Sequence, residues 1–134
     1  MHATMASGTN MRYWSLCQNE SLATTKVASC LDDEQVPVDA NGNYTIVSST
    51  THDRPKNATA ACGVAWLAWP KHGDGEGHLN DGTLILRNML PDPAFASAVQ
   101  DVTVMGTEAS VMGPYLPAGT YTTKAAFQAL GCPA

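Results

Sequence analysis

Apolar and polar residues alternate over short stretches of this chain, and turn-forming residues separate the stretches. Short alternating runs bounded by Gly, Pro, Asn and Asp are typical of β-strands. The runs that fit this pattern are 12–17, 22–31, 44–47, 62–69 and 83–90. The Asn41-Gly42 pair predicts a tight turn ahead of 44–47. Because a Gly-rich polar loop separates 62–69 from 83–90, these two runs predict a long hairpin through the core.

Two helical signals lie late in the chain. Asp92 before Pro93 predicts a helix over 94–100, with the carboxylate as its cap. Thr123 and Gly131 enclose 124–130, which has the capping residues of a complete short helix. Strand-like runs with one or two short helices near the C-terminus predict an all-β fold, an antiparallel β-sandwich or partial barrel.

The chain has 134 residues, a length that fits one domain covering 1–134. Residues 2–5 have the pattern of a strand interior although they stand at the very start. Domains seldom begin in the middle of a core strand. We therefore expect that this single β domain lacks an N-terminal segment.

Composition and charge narrow the possible partners. Hydrophobic residues make up 44% of the chain and charged residues 14%, which indicates a folded protein. The formal net charge is −5 and the seven Lys and Arg are scattered, so no basic patch for nucleic acid is expected. No apolar run approaches the roughly 20 residues that span a bilayer, so no transmembrane segment is predicted.

Four cysteines indicate the compartment. Their even number, wide spacing and lack of a C-x-x-C pair favour two disulfides, and therefore a secreted, periplasmic or cell-envelope protein. Among the three connectivities we prefer Cys17–Cys30 and Cys62–Cys132. The first pair flanks a short excursion between strands, and the second ties the C-terminal tail to a central strand. The alternative is four reduced, buried thiols.

Several runs resemble a group of exported bacterial all-β proteins of no assigned function. The runs are RYWSLCQNE (12–20), DRP (53–55), WLAW (66–69), LILRNMLP (84–91) and VMGPY (111–115). The resemblance covers most of the chain after residue 11. It implies export and an all-β fold, with the chain matching the C-terminal portion of such proteins. It implies no reaction and no catalytic residues.

The most distinctive candidate site is the loop 72–81, HGDGEGHLND. Alternate side chains of an extended chain share a face, so His72, Asp74, Glu76 and His78 would line one side. Imidazole and carboxylate ligands suit a Zn or Cu ion. The two histidines lie about 20 Å apart when extended, at roughly 3.3 Å per residue, so they reach one ion only if the loop folds tightly. The alternative is a flexible polar loop without a ligand.

The second candidate site is aromatic. Residues three apart on a strand point to opposite faces, so one of two nearby tryptophans is expected to be exposed and to offer a platform for a sugar or another flat ligand. The residues of this candidate ligand-binding cleft are Trp14, Trp66, Trp69, Arg12 and Arg87. The alternative is that the aromatic residues are core residues and that the arginines pair with carboxylates or reach solvent.

No nucleophile elbow, P-loop, dinucleotide fingerprint or H-E-x-x-H motif is present. The sequence therefore favours a non-enzymatic, exported β-sandwich module that binds a small molecule, a glycan or an envelope protein, or supports a larger envelope protein. One alternative is a metal-binding protein or metal-dependent enzyme that uses the His72–His78 loop. Another is a carbohydrate-binding module that uses an exposed Trp.

Overall fold

Strands make up most of the regular structure. The computed structural model describes residues 1–6 and 10–132. The strands are β1 His2–Thr4, β2 Met11–Asn19, β3 Val27–Asp32, β4 Asn43–Ser49, β5 Val64–Ala68 and β6 Thr83–Pro91. The α-helices are α1 Glu108–Met112 and α2 Lys124–Ala129, and single 3₁₀ turns cover Asp33–Gln35, Ala60–Cys62, Val99–Asp101 and Gly113–Tyr115. The expectation of a β-rich fold with short helices near the C-terminus is confirmed.

The strands form two three-stranded sheets. The first sheet has the order β1-β4-β5 and the second β3-β2-β6. All pairs are antiparallel except β4–β5, which is parallel. The expectation of a purely antiparallel fold is therefore wrong for the first sheet. Parallel neighbours need a long crossover, and residues 50–63 provide it.

Side chains of both sheets share one core. Trp14 and Leu16 of β2 pack with Tyr44 and Ile46 of β4 and with Leu67 of β5. The Trp14 and Tyr44 rings stack with centroids 5.1 Å apart, and burial raises the pKa of Tyr44 to about 12. Tyr44 and Ile46 are two residues apart, so the period of the strand brings both to the same face.

The predicted hairpin of 62–69 with 83–90 is wrong. Strand β5 pairs with β4 in the first sheet, whereas β6 pairs along β2 in the second. The loop 70–82 therefore carries the chain from one sheet to the other. Hydrophobic alternation shows which face of a strand is buried, but it does not show which strand lies beside it.

The turn before β4 and the last helix are confirmed. Gly42 has a φ of 79°, and the Asp39 amide donates to Asn43 O at 2.8 Å across the turn. Thr123 Oγ1 accepts the Ala126 amide at 3.1 Å and caps α2.

The helix predicted over 94–100 is wrong, since only the single turn Val99–Asp101 is helical there. Asp92 Oδ1 does accept the Ala94 amide at 2.8 Å. The Phe95 ring, however, packs edge-on against Tyr115 with centroids 5.0 Å apart, and the Val99 amide donates to Asn88 Oδ1 at 2.9 Å. Contacts with distant residues thus replace the internal hydrogen bonds of a helix.

Both disulfides form with the preferred pairing, Cys17–Cys30 and Cys62–Cys132. Cys17 and Cys30 are directly opposite each other on β2 and β3. The second bridge joins the turn before β5 to the residues after α2. No helix within residues 1–6 and 10–132 has the length and apolar character needed to cross a membrane.

We expect the second bridge to stabilise the fold more than the first. The bridges close loops with sequence separations of 13 and 70 residues, and the loop-entropy model then gives about 3 and about 4.5 kcal/mol. The Cys17→Ala/Cys30→Ala and Cys62→Ala/Cys132→Ala variants should lose these amounts of unfolding free energy in urea titrations. A larger loss in the Cys17–Cys30 variant would contradict the expectation.

Candidate functional site

The loop 70–82 is tightly folded around Asp74. Asp74 Oδ1 accepts the amides of Glu76 at 2.8 Å and His78 at 3.1 Å. Asp74 Oδ2 lies 2.6 Å from His78 Nδ1. The Gly75 amide donates to His72 O at 2.9 Å. The loop is therefore tightly folded rather than extended.

Glycines let this loop lie close to the body of the protein. Gly75 has a φ of 80°, and a Cβ there would stand 2.7 Å from Glu20 Oε2. A Cβ on Gly82 would stand 2.6 Å from Gln18 Nε2 and 3.1 Å from the Trp69 ring. Trp69 Nε1 also donates to Leu79 O at 3.1 Å. The loop thus packs against Glu20 at Gly75 and against Gln18 and Trp69 at Gly82.

The structure brings two of the four predicted metal ligands together with a third residue. Asp74, His78 and Asp81 each present one ligand atom, and the three atoms lie within 4.8 Å of one another. His72 and Glu76 are outside this group. Sequence reasoning missed Asp81 as a ligand because it assumed an extended loop. The Asp81 amide donates to His78 O at 3.1 Å, a turn that places Asp81 beside the histidine.

Hydrogen bonding shifts both partners of the Asp74–His78 pair toward their charged forms. The Glu76 amide, then the His78 ring, lower the pKa of Asp74 below its usual 3.8. The hydrogen bond that the His78 ring donates to Asp74, reinforced by the Asp74 charge, raises the pKa of His78 above its usual 6.5. Asp74 and His78 are therefore both charged at mildly acidic pH.

The predicted aromatic cleft is dispersed in the structure. Trp14 is only 2% exposed and belongs to the core. Trp66 packs with Phe127 on the outer side of the first sheet. The Trp66 Nε1 donates to Ser49 Oγ at 3.0 Å, and the Arg54 guanidinium lies 4.5 Å from the centroid of the Trp66 ring. Trp69 lies beside Gly82.

The two predicted arginines lie on the second sheet. Arg12 and Arg87 are both exposed. Arg87 Nη1 is 3.6 Å from Cys17 Sγ, so it lies beside the first disulfide. Neither arginine forms an ion pair with the residues that the structure describes.

A cleft of about 640 Å³ lies between β4 and the segment that leads into α2. We call it the β4 cleft. Its lining residues are Met1, Ile46–Ser49, Asp53, Pro55, Trp69, Leu84, Pro117, Gly119–Lys124 and Phe127. Trp69 is the one member of the predicted aromatic site that lines it. Clefts of about 300–1,000 Å³ are of the size that holds small ligands.

Two polar residues of the β4 cleft lining, Ser48 and Tyr121, differ sharply in exposure. Ser48 Oγ is buried and has no hydrogen-bond partner among residues 1–6 and 10–132. The Tyr121 side chain is 105% exposed at the cleft rim. An unpartnered buried hydroxyl costs about 1–3 kcal/mol unless something else satisfies it. Sequence reasoning missed this site because its walls, 46–49 and 119–124, are far apart along the chain.

No protein-family model, no curated protein and no solved structure matches this chain. The site is therefore interpreted from its geometry alone.

We expect the Asp74→Asn variant to return the pKa of His78 toward 6.5, since the substitution removes the charge that raises it. His78 contributes stability below pH 6.5 and loses it as pH rises through its raised folded pKa. Asp74 contributes above pH 3.8 and loses it as pH falls through its lowered pKa. The Asp74–His78 pair should therefore contribute most to the stability of the loop between pH 3.8 and pH 6.5.

A nuclear magnetic resonance titration of the His78 ring measures this effect. Asp53→Asn is the matched control, because Asp53 lies 3.1 Å from a different histidine, His52. An unchanged His78 titration in Asp74→Asn would show that Asp74 does not hold the imidazolium.

Proposed function

We propose that this protein is an exported, disulfide-stabilised β-sandwich module that binds a ligand in the β4 cleft. The observation that carries the proposal is the cleft of about 640 Å³, which Ser48 helps to line. The Ser48 hydroxyl is buried there without a hydrogen-bond partner among residues 1–6 and 10–132. A wall that combines apolar side chains with a few polar groups is typical of ligand sites.

Two further observations support export and a binding role. Two disulfides, Cys17–Cys30 and Cys62–Cys132, fit an oxidising compartment outside the cytosol. The resemblance of RYWSLCQNE and the other runs to exported bacterial proteins points the same way. The lining of the β4 cleft offers a partner apolar side chains, hydroxyls and two charged residues, Asp53 and Lys124. Such a mixture is suited to holding a ligand in one orientation.

Probe binding followed by amide chemical shifts tests the cleft. The probes are cellotetraose and the blocked peptide acetyl-Thr-Val-Thr-Val-amide. We expect at least one probe to shift the amides of Ser48, Ser49 and 119–122 in a saturable manner. Thr120→Trp, which adds bulk to the cleft wall, should weaken the effect. Thr103→Trp changes another exposed threonine and should not.

If both probes left the cleft amides unshifted, the binding proposal would fail. Shifts confined to residues outside the β4 cleft would count against it equally.

A second candidate function is metal binding at the loop. It is favoured by the grouping of Asp74, His78 and Asp81 ligand atoms within 4.8 Å. Zn²⁺ accepts nitrogen and oxygen ligands of these types, with positions left for water. The Asp74–His78 hydrogen bond competes with such an ion, because it occupies the Nδ1 atom of the histidine.

For metal binding, Zn²⁺ at about 100 times its dissociation constant should stabilise the fold by about 2.7 kcal/mol, visible as a thermal shift. Asp81→Asn should abolish the shift. Its side chain makes none of the hydrogen bonds that fold the loop within the described residues. Asp53→Asn should retain the shift. The same melting temperature with and without Zn²⁺ would remove this candidate.

A further inference from the structure

We propose that the Cys17–Cys30 bridge is a site of thiol–disulfide exchange whose co-reactant is a dithiol. A thiolate of the dithiol attacks Cys30 Sγ, and Cys17 leaves as a thiolate beside Arg87. The bridge joins β2 and β3 of the second sheet. Neither cysteine nor Arg87 lines the β4 cleft, so this site is separate from the proposed ligand site.

The two cysteines of the bridge differ in accessibility. Cys17 lies on the central strand β2 and is only 3% exposed. Cys30 lies on the outer strand β3 and is exposed. Exchange begins when a thiolate attacks one sulfur of the disulfide, and its rate depends on access to that sulfur. An incoming thiolate therefore reaches Cys30 rather than Cys17.

The buried sulfur is the one that lies beside a cation. Arg87 Nη1 donates to Cys17 Sγ at 3.6 Å. A neighbouring guanidinium favours the thiolate form of a cysteine, and a more stable thiolate is a better leaving group. Among residues 1–6 and 10–132, Arg87 forms no ion pair with a carboxylate. Exposure and charge thus select the same direction, attack at Cys30 and departure of Cys17.

The second bridge provides an internal comparison. Cys132 is exposed and Cys62 is 9% exposed, so accessibility alone does not distinguish the two bridges. Within the part of the chain that the structure describes, no side chain donates a hydrogen bond to either sulfur of Cys62–Cys132, whereas Arg87 donates to Cys17. The cation beside the leaving sulfur therefore sets the first bridge apart.

Opening the first bridge leaves its cysteines close together. Cys17 and Cys30 are directly opposite each other in the β2–β3 pairing, and the residues on both sides of them are paired as well. The backbone ladder thus holds the Cys17 thiolate within reach of a mixed disulfide at Cys30, so that Cys17 expels a monothiol again. A dithiol escapes this reversal because its second thiolate completes the reduction.

The exchange takes place in two balanced steps. In the first, a thiolate of the dithiol forms a bond to Cys30 Sγ, the Cys17–Cys30 bond breaks, and its electron pair stays on Cys17. In the second, the other thiolate of the dithiol attacks the dithiol sulfur of the mixed disulfide, and Cys30 leaves as a thiolate. The two protons that the dithiol loses neutralise the two cysteine thiolates. The dithiol is oxidised by two electrons to its disulfide, and the bridge is reduced to two thiols.

The test compares both bridges in one reaction with the whole chain. The oxidised protein is incubated with dithiothreitol or, separately, with reduced thioredoxin, and is then acidified and unfolded. Free thiols are alkylated and located by peptide mass spectrometry. We expect Cys17–Cys30 to be reduced at least about tenfold faster than Cys62–Cys132. This selectivity with dithiothreitol would support a small dithiol as co-reactant, and selectivity with thioredoxin alone would support the cysteine pair of a protein.

Glutathione, a monothiol, tests the direction of attack. We expect the acid-quenched intermediate to carry glutathione on Cys30, with Cys17 as the free thiol. Glutathione attached to Cys17 instead would overturn the assignment of Cys17 as the leaving group.

Substitutions of Arg87 test the role of the cation. Arg87→Met keeps a long side chain without the charge and should slow reduction of Cys17–Cys30 by dithiothreitol about threefold to tenfold. Arg87→Lys should retain most of the rate. Arg12→Met changes another exposed arginine of the second sheet and should leave the rate unchanged.

A purely structural role of Arg87 predicts the opposite sign. A less stable sheet opens more often, which exposes the bridge and speeds its reduction. An unchanged or faster reduction in Arg87→Met would therefore overturn the inference. Equal reduction rates for the two bridges with both reagents would overturn it as well.

Discussion

The packing of β4 against β2 is the interaction on which the rest of the structure depends. Tyr44 stacks on Trp14 across the two sheets, and Ile46, fully buried, lies beside them in the same core. The same strand pairs with β1 on one edge and with β5 on the other. Strand β4 contributes to the core, to the first sheet and to the cleft wall. Its position therefore determines where β1, β5 and the cleft lie.

The disulfides add covalent links at the margins of the cluster around Trp14 and Tyr44, and each has one buried cysteine, Cys17 or Cys62. Cys17–Cys30 joins neighbouring strands of the second sheet, and Cys62–Cys132 holds the C-terminal residues to the start of β5. Helix α2, just before Cys132, buries Phe127 against Val64 on the outer side of the first sheet. The second bridge therefore keeps α2 in place. Residues 119–123, which precede α2 and line the β4 cleft, are held with it.

Side-chain hydrogen bonds give the loop 70–82 its shape. The loop around Asp74 is folded by a carboxylate that accepts two amides and an imidazole. Its glycines approach Glu20 and Trp69 closely enough to exclude a side chain. The Asp74 carboxylate therefore fixes the shape of the loop. Because its oxygens are already hydrogen-bonded, it has less capacity left to coordinate an ion.

Local patterns in the sequence were sufficient for features that depend on neighbouring residues. Alternation located β4, the Thr123 cap with Gly131 located α2, and the close spacing of Cys17 and Cys30 favoured the first bridge, because strand period, capping and closure of a short loop are short-range effects. Only the tertiary structure decided that β5 lies parallel to β4. It also decided that Asp81 turns toward His78, and that residues 46–49 and 119–122 face each other across a cleft. These depend on which distant surfaces meet, and a hydrophobic pattern specifies that a face is buried without specifying its partner.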